Sequence, residues 1–252
     1  MYEPRALGTN VLKLIQPGRT YIIHSLFDHG LNLQVDHQDL IYLGDDLKGI
    51  VPFGIHLEHN DFKRLKKTLK KDSPVAVSVG VLKIADELIQ LTKVVEYNNF
   101  LTIQEASLKE PVIITGVTGL DFLPAQTFYA EHNMFDLDNL EQWLKMLIGS
   151  GQGLTPAGDD FLIGALAINA IKPFLPVGFN EIVTKLLAKG YTTDVSKAYL
   201  KSALNQQFSS IVKKVVSKSP HAIKELSASG STSGVDTLSG INWGLKQAFK
   251  EE

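Results

Sequence analysis

The chain has 252 residues, 44% of them hydrophobic and 21% charged, with a formal net charge of −2. That is enough apolar material for one large domain or two small ones. A charge so near neutral argues against a nucleic-acid binder, which carries a basic face. There is no cysteine, which excludes a disulfide framework, thiolate chemistry and cysteine-type zinc sites.

The opening residues lack the basic start, apolar middle and small-residue cleavage site of a signal peptide. No apolar run reaches the ~18–20 residues that span a bilayer. The expectation is a cytoplasmic chain without nucleic-acid or membrane partners. Residues 20–27 are β-rich and apolar, and Asp28-His29-Gly30 reads as a turn. Residues 31–35 alternate apolar and polar, the pattern of a half-buried strand. Short strands are expected again at 40–43 and 49–57, the latter broken by Pro52. Residues 61–70 suit a helix with Phe62, Leu65 and Leu69 on one face. The basic run from Arg64 to Lys71 reads as its solvated end. Strands are expected within 74–84, 88–95 and 100–103, and an apolar run at 111–115 ends in Gly116-Val-Thr-Gly119. Short strands at about ten-residue spacing suggest an antiparallel barrel or sandwich.

Five of the seven histidines lie in this half. No pair has a spacing that signals zinc without structural context. His56 and His59 are three apart, but one falls in a strand and the other near a helix start. His24, beside Ser25 inside an apolar strand, is the histidine chosen as a site candidate. His29 and His37 read as turn residues without a role.

The second half reads as helices: 137–148, then 156–171, 180–188, 195–217 with a break near Asn205, 220–226, and 235–250. Pro173 ends the second of these, and Gly190 the third. The expected fold is α+β, with a β-rich lobe over 1–130 and a helical lobe over 131–252.

The organising stretch is 149–164. It opens on four glycines in ten residues, Gly149, Gly151, Gly153 and Gly158, which allow positive φ and close approach. Thr155 and Pro156 read as N-cap and first helical residue. An almost wholly apolar run to Ile171 then marks a buried helix. Asp159 and Asp160 sit in its first turns, where they complement the helix dipole or hold a substrate or metal. The stretch recurs without gaps: Thr155-x-x-Gly158-x-Asp160-x-Leu162-x-Gly164 matches Ser231-x-x-Gly234-x-Asp236-x-Leu238-x-Gly240. Each glycine lies one helical turn beyond its aspartate on the same face. The expectation is that the two helices pack near Gly164 and Gly240 and present their N-termini together. That would form an N–H-rich anion pocket floored by Asp160 and Asp236.

At these residues the chain resembles an uncharacterised bacterial domain family. It includes the H subunit of the oxamate carbamoyltransferase of allantoin degradation. The resemblance rests on Gly149-x-Gly151-x-Gly153-Leu-Thr155-Pro-x-Gly158-Asp-Asp160. Weaker pieces are His24-Ser25-x-Phe27, Thr192-Thr193-x-x-Ser196 and Gly230-x-Thr-Ser-Gly-x-Asp-Thr237. It implies a multi-subunit enzyme of ureide catabolism that moves the carbamoyl group of oxalurate to phosphate, giving oxamate and carbamoyl phosphate. It also implies two larger partner subunits, and it carries no assignment of catalytic residues.

Small anions of the oxalurate, phosphate or carbamoyl phosphate class suit paired helix N-termini. The candidates for chemistry are Asp159, Asp160, Asp236 and His24, the last contributed by the first lobe. The candidates for substrate binding are Gly151, Gly153, Thr155, Gly158, Ser231, Thr232, Ser233 and Gly234. Two aspartates facing a phosphate repel it unless a cation intervenes, so Mg²⁺ on Asp159 and Asp160 is expected. A different class of function leaves the same sequence: a non-catalytic subunit whose loops dock partners on an exposed apolar patch. A nucleotide-binding domain ranks last, because the loop lacks the phosphate-binding lysine.

Overall fold

The structure is a computed structural model that describes residues 1–47 and 49–250. The chain forms two compact units, Met1–Asn99 and Phe100–Glu252, where the sequence placed the division near residue 130.

The first unit opens with β1 (Ala6–Gly8) and a short helix α1 (Val11–Leu14). It continues through β2 (Tyr21–Leu26), β3 (Gly30–Val35), β4 (Asp39–Asp45), β5 (Gly54–Leu57) and helix α2 (His59–Lys66). It ends with β6 (Val75–Ser78), β7 (Val81–Ile84), β8 (Glu87–Gln90) and β9 (Glu96–Tyr97). Six strands form one sheet in the order β2-β3-β4-β5-β1-β9, and β6-β7-β8 form a second. Neither closes into a barrel. The six-stranded sheet is mixed rather than antiparallel throughout, since β4 pairs β5 and β1 pairs β9 in parallel. Alternating apolar residues do not encode strand direction, so these parallel pairings were beyond the sequence pattern. The two sheets share one apolar core, in which Leu31, Leu33, Ile41 and Ile55 meet Leu82, Ile84 and Ile89.

The β2–β3 pairing slips between Ile23, opposite Leu33, and Ser25, opposite Asn32. His24 is the extra residue of this bulge, and a bulge re-aims the side chain it carries. The imidazole is half-buried, with Nδ1 3.1 Å from Ser25 Oγ.

The second unit is helical: α3 (Leu123–Glu131), α4 (Leu137–Leu147), α5 (Ala157–Ile171) and α6 (Phe179–Ala188). Then follow α7 (Asp194–Leu204), α8 (Ser210–Val216), α9 (Ala222–Ser227) and α10 (Ser233–Ala248). The strand expected at 100–103 is replaced by a single bridge from Phe100 to Gln207 and a 3₁₀ turn, Ile103–Glu105. The run at 111–115 is held by a side chain instead of a strand. Val112 N–H donates to Asn242 Oδ1 (2.7 Å), and Asn242 Nδ2 donates back to the Val112 carbonyl (2.8 Å).

Helix α5 is buried on all sides from 157 to 168, as its uniformly apolar sequence requires. It crosses α10 where each contributes a glycine. A Cβ on Gly164 would overlap the carbonyl oxygen of Thr237, and one on Gly240 would overlap that of Phe161. Phe161 and Thr237 are themselves matched positions of the repeat. The crossing is therefore reciprocal, each backbone resting on the other's glycine. Leu162, Leu166 and Trp243 pack around it with Trp143 and Leu144 of α4.

Candidate functional site

The repeat seen in the sequence is a repeat of structure. Each copy is a helix, a tight loop and a second helix folded back on the first. In the first copy the Gly158 N–H donates to the Ser150 carbonyl (2.9 Å); in the second the Gly234 N–H donates to the Ser229 carbonyl (3.0 Å). A side chain on Gly158 would strike the Leu147 carbonyl, and one on Gly234 the Leu226 carbonyl. Both glycines thus let a helix start lie against the end of its predecessor. Gly149, Gly151 and Gly153 have φ of 76°, 110° and 95°, values that glycine alone adopts without strain.

The helix start differs from expectation by one residue. Pro156 is the N-cap of α5, with φ −54° and ψ 144°, and Ala157 is the first helical residue. The extended ψ places the proline outside the helix, and its carbonyl accepts from the N–H groups of Asp159 (3.0 Å) and Asp160 (3.2 Å). The Thr155 hydroxyl, freed from capping, lies 3.3 Å from Ser233 Oγ at the start of α10. The two helix starts therefore meet.

Three carboxylates are buried there: Asp159 (0% exposed), Asp160 (4%) and Asp236 (0%). Burial pushes the pKa of each above the usual carboxylate range, because a low-dielectric site disfavours the charged form. They differ in their partners. Asp159 accepts from the Gly149 N–H (2.9 Å) on Oδ1 and from the Thr192 hydroxyl on Oδ2. Both its oxygens hold the glycine loop and the segment before α7. Asp236 accepts from the Gly119 N–H on Oδ1 (2.8 Å). Its Oδ2 is buried and closes no well-formed hydrogen bond among the described residues, although the Thr232 hydroxyl acts on this carboxylate; Oδ2 of Asp160 is likewise unmatched. Asp160 is raised furthest. After burial, the charges of Asp236 and Asp159 add to the rise, against the Ser233 and Thr155 hydroxyls.

Two contributors were not evident from the sequence. The first is the segment Gly116-Val-Thr-Gly119, which passes over the start of α10. A Cβ on Gly119 would meet Thr232 Oγ1, Asp236 Oδ2 and the Ala157 side chain, so glycine is needed for this approach. The signal was the pair of glycines ending an apolar run. The second is Tyr199 of α7, whose phenol is pushed up by burial and then by Asp160, and so stays protonated.

Of the expected binding residues, Thr155, Gly158, Ser233 and Gly234 lie at the meeting point. Thr232 is the N-cap of α10. Gly151, Gly153 and Ser231 are on exposed loop turns. His24 belongs to the other unit. Val117 and Leu154, on the two loops at these helix starts, are apolar and exposed. No described helix is long and apolar enough to cross a membrane.

These features define a two-unit α+β protein whose helical unit carries a duplicated glycine–aspartate helix start. Its residues 147–245 match the family described as oxamate carbamoyltransferase subunit AllH, and residues 5–96 match the AllH family N-terminal domain. The chain belongs to the AllH family. Its functional class is accordingly that of a carbamoyltransferase-associated subunit of a multi-subunit enzyme. No curated protein and no solved structure matches the chain.

Proposed function

We propose that the chain gives a carbamoyl-transferring assembly its small-anion site, at the joined starts of α5 and α10. One observation carries this reading. Two buried carboxylate oxygens, Asp160 Oδ2 and Asp236 Oδ2, close no well-formed hydrogen bond among the described residues, beside the paired hydroxyls of Thr155 and Ser233. Buried polar atoms are rarely left unmatched, and such orphans mark sites that a ligand or ion completes.

The substrates proposed are oxalurate and phosphate, with oxamate and carbamoyl phosphate as products. A phosphate oxygen attacks the carbamoyl carbon of oxalurate, the bond from that carbon to the oxamate nitrogen breaks, and the nitrogen takes up a proton. A carboxyl whose pKa is raised by burial is better suited than an ordinary one to donate that proton, which is the role proposed for Asp160. The hydroxyls of Thr155 and Ser233 supply donors to the developing carbamoyl oxyanion, because the N–H groups of Gly158, Asp159, Asp160, Gly234 and Asp236 already donate within the chain. Asp236 and Asp159 hold the loops in register. If Mg²⁺ takes part, the oxygen open to it is Asp236 Oδ2, because both oxygens of Asp159 accept internal donors and Asp160 is given the role of proton donor. Hard oxygen donors of this kind suit Mg²⁺, which would offset charge between carboxylate and phosphate. His24 has no part in this chemistry as proposed.

The exposed Val117 and Leu154 favour a second role for the same loops, as the seat of a partner subunit. The test is thermal stability of the chain, alone and with its partner subunits, against oxalurate, oxamate, phosphate and carbamoyl phosphate, with and without Mg²⁺. Wild type is compared with Asp160→Asn. A ligand at ~100 times its dissociation constant stabilises by about 2.7 kcal/mol. A rise in Tm with one of these anions that is absent in the variant supports the site. No rise with any anion, with partners present, leaves the loops as docking architecture.

A further inference from the structure

The first unit brings together three side chains from distant parts of the sequence. The register of the six-stranded sheet explains how. Strand β3 runs antiparallel to β4, and Gly30 pairs with Gly44. Strand β4 runs parallel to β5, and Asp45 pairs with Leu57. The start of β3 and the ends of β4 and β5 therefore lie at one edge. His29 precedes Gly30, Asp45 ends β4, and His59 opens α2 two residues beyond β5. Their donor atoms all lie within 4.8 Å of one another.

Asp45 Oδ2 is the centre of this group, 2.9 Å from His29 Nδ1 and 2.7 Å from His59 Nδ1. The carboxylate is 1% exposed, while His29 and His59 are 44% and 29% exposed. The group is thus closed on the aspartate side and open on the histidine side. Its surroundings fix it in place. The His29 carbonyl accepts from the Tyr42 hydroxyl (2.7 Å) and from the Asp45 N–H (3.0 Å). Behind Asp45, His56 Nδ1 lies 3.4 Å from the Asp45 carbonyl, and its Nε2 accepts the Val51 N–H (3.0 Å). The two outer imidazoles stack, with centroids 6.0 Å apart and planes at 26°.

A second observation is independent of these bonds. Asp45 Oδ1 is buried and closes no well-formed hydrogen bond among the described residues, although the Leu47 N–H acts on this carboxylate. A carboxylate this enclosed normally has both oxygens matched, so a buried aspartate whose Oδ2 faces two imidazole nitrogens and whose Oδ1 is incompletely matched points to a missing cation.

We infer that His29, Asp45 and His59 form a binding site for a divalent first-row transition metal. Two imidazole nitrogens and one carboxylate oxygen suit zinc, iron, manganese or cobalt, and not the all-oxygen preference of Mg²⁺. Metal–ligand bonds of about 2.1 Å in an octahedron place neighbouring donors about 3.0 Å apart. The two contacts to Asp45 Oδ2 are close to that edge length. The metal takes the place of the protons now shared between the Nδ1 atoms and the carboxylate, and water completes the coordination on the open side. With three protein ligands and open positions, the site has the composition of a catalytic rather than a closed structural centre. The carboxylates of α5 and α10 belong to the other unit.

The test uses the full chain, freed of metal by a chelator and titrated with Co²⁺ by calorimetry and visible absorption. The titration is repeated with Zn²⁺ and Mn²⁺. The expected result is one tight equivalent in wild type. His29→Ala and Asp45→Asn should weaken it by at least about tenfold, and Asp160→Asn should leave it unchanged. His29 is partly exposed, so His29→Ala is the variant that keeps its fold; a thermal melt checks this, and His59→Asn serves as the second ligand variant. Absence of binding by wild type for all three metals overturns the inference. So does binding that survives in His29→Ala and His59→Asn.

Discussion

His56 is closed off from solvent, and burial lowers its pKa to about 4 from 6.5. It remains neutral in the folded chain under conditions where the unfolded chain binds a proton. The sign follows from that difference. Between pH 6.5 and about 4 the unfolded state holds more protons, so stability is lost as pH falls through this window. The contribution of this one group is on the order of 3 kcal/mol. Urea denaturation at several pH values should show a flatter acid limb in His56→Gln than in wild type; equal slopes would refute the assignment. At this scale the sequence was partly readable. The nearness of Asp160 and Asp236 was legible because one short pattern occurs twice and both copies carry the aspartate at the same offset. His29 was read as a turn residue because nothing local distinguishes it. Its partners are 16 and 30 residues away in sequence, a separation with no helical or strand period, and only the β3–β4–β5 register brings them together.

Helices α5 and α10 meet backbone to backbone, with no side chain between them at Gly164 and Gly240. Gly240→Ala would force a methyl group against the Phe161 carbonyl. Overpacking of this kind costs about 1–3 kcal/mol or more, well above the ~1 kcal/mol that alanine gains over glycine by helix propensity. Urea denaturation should therefore show the variant less stable than wild type, and a more stable variant would mean that the helices can separate freely. The helices themselves were legible from their apolar periodicity. The break near Asn205 was also legible and falls between α7 and α8. Residues 100–130 were not. Within them 100–103 read as a strand and 111–115 as an apolar run, but Leu101 and Val112 donate to Gln206 and Asn242 rather than to a sheet, and helix α3 was not anticipated. A side chain that substitutes for a strand leaves no pattern in the segment it holds. The hairpin Val75–Ser78 and Val81–Ile84 read as one run, because Gly80 alone marked its turn.

Each unit of the molecule encloses an apolar cluster of its own: Leu33, Ile41 and Phe62 in the first, Trp143, Phe161 and Leu238 in the second. A domain with its own core is a natural unit of cooperative unfolding. Scanning calorimetry should then give a total heat larger than the van't Hoff enthalpy of any single transition. Equality of the two would show that both cores unfold together. The α+β order was evident from composition and periodicity along the chain. The boundary was not, because the apolar segments after Asn99 share their texture with the strands before it. Pairing partners, not local texture, decide to which core such a segment belongs.

The glycine crossing sets a limit on how the candidate anion site can adapt. Packed interiors transmit displacement instead of absorbing it, and this contact has no rotamer that can relax. The two helix starts behave as a single gauge block of fixed width. A ligand of another size cannot be accommodated by spreading the helices. Should this be the anion site, its selectivity would be set by the loops at 116–119, 149–156 and 228–232, which lie outside the block.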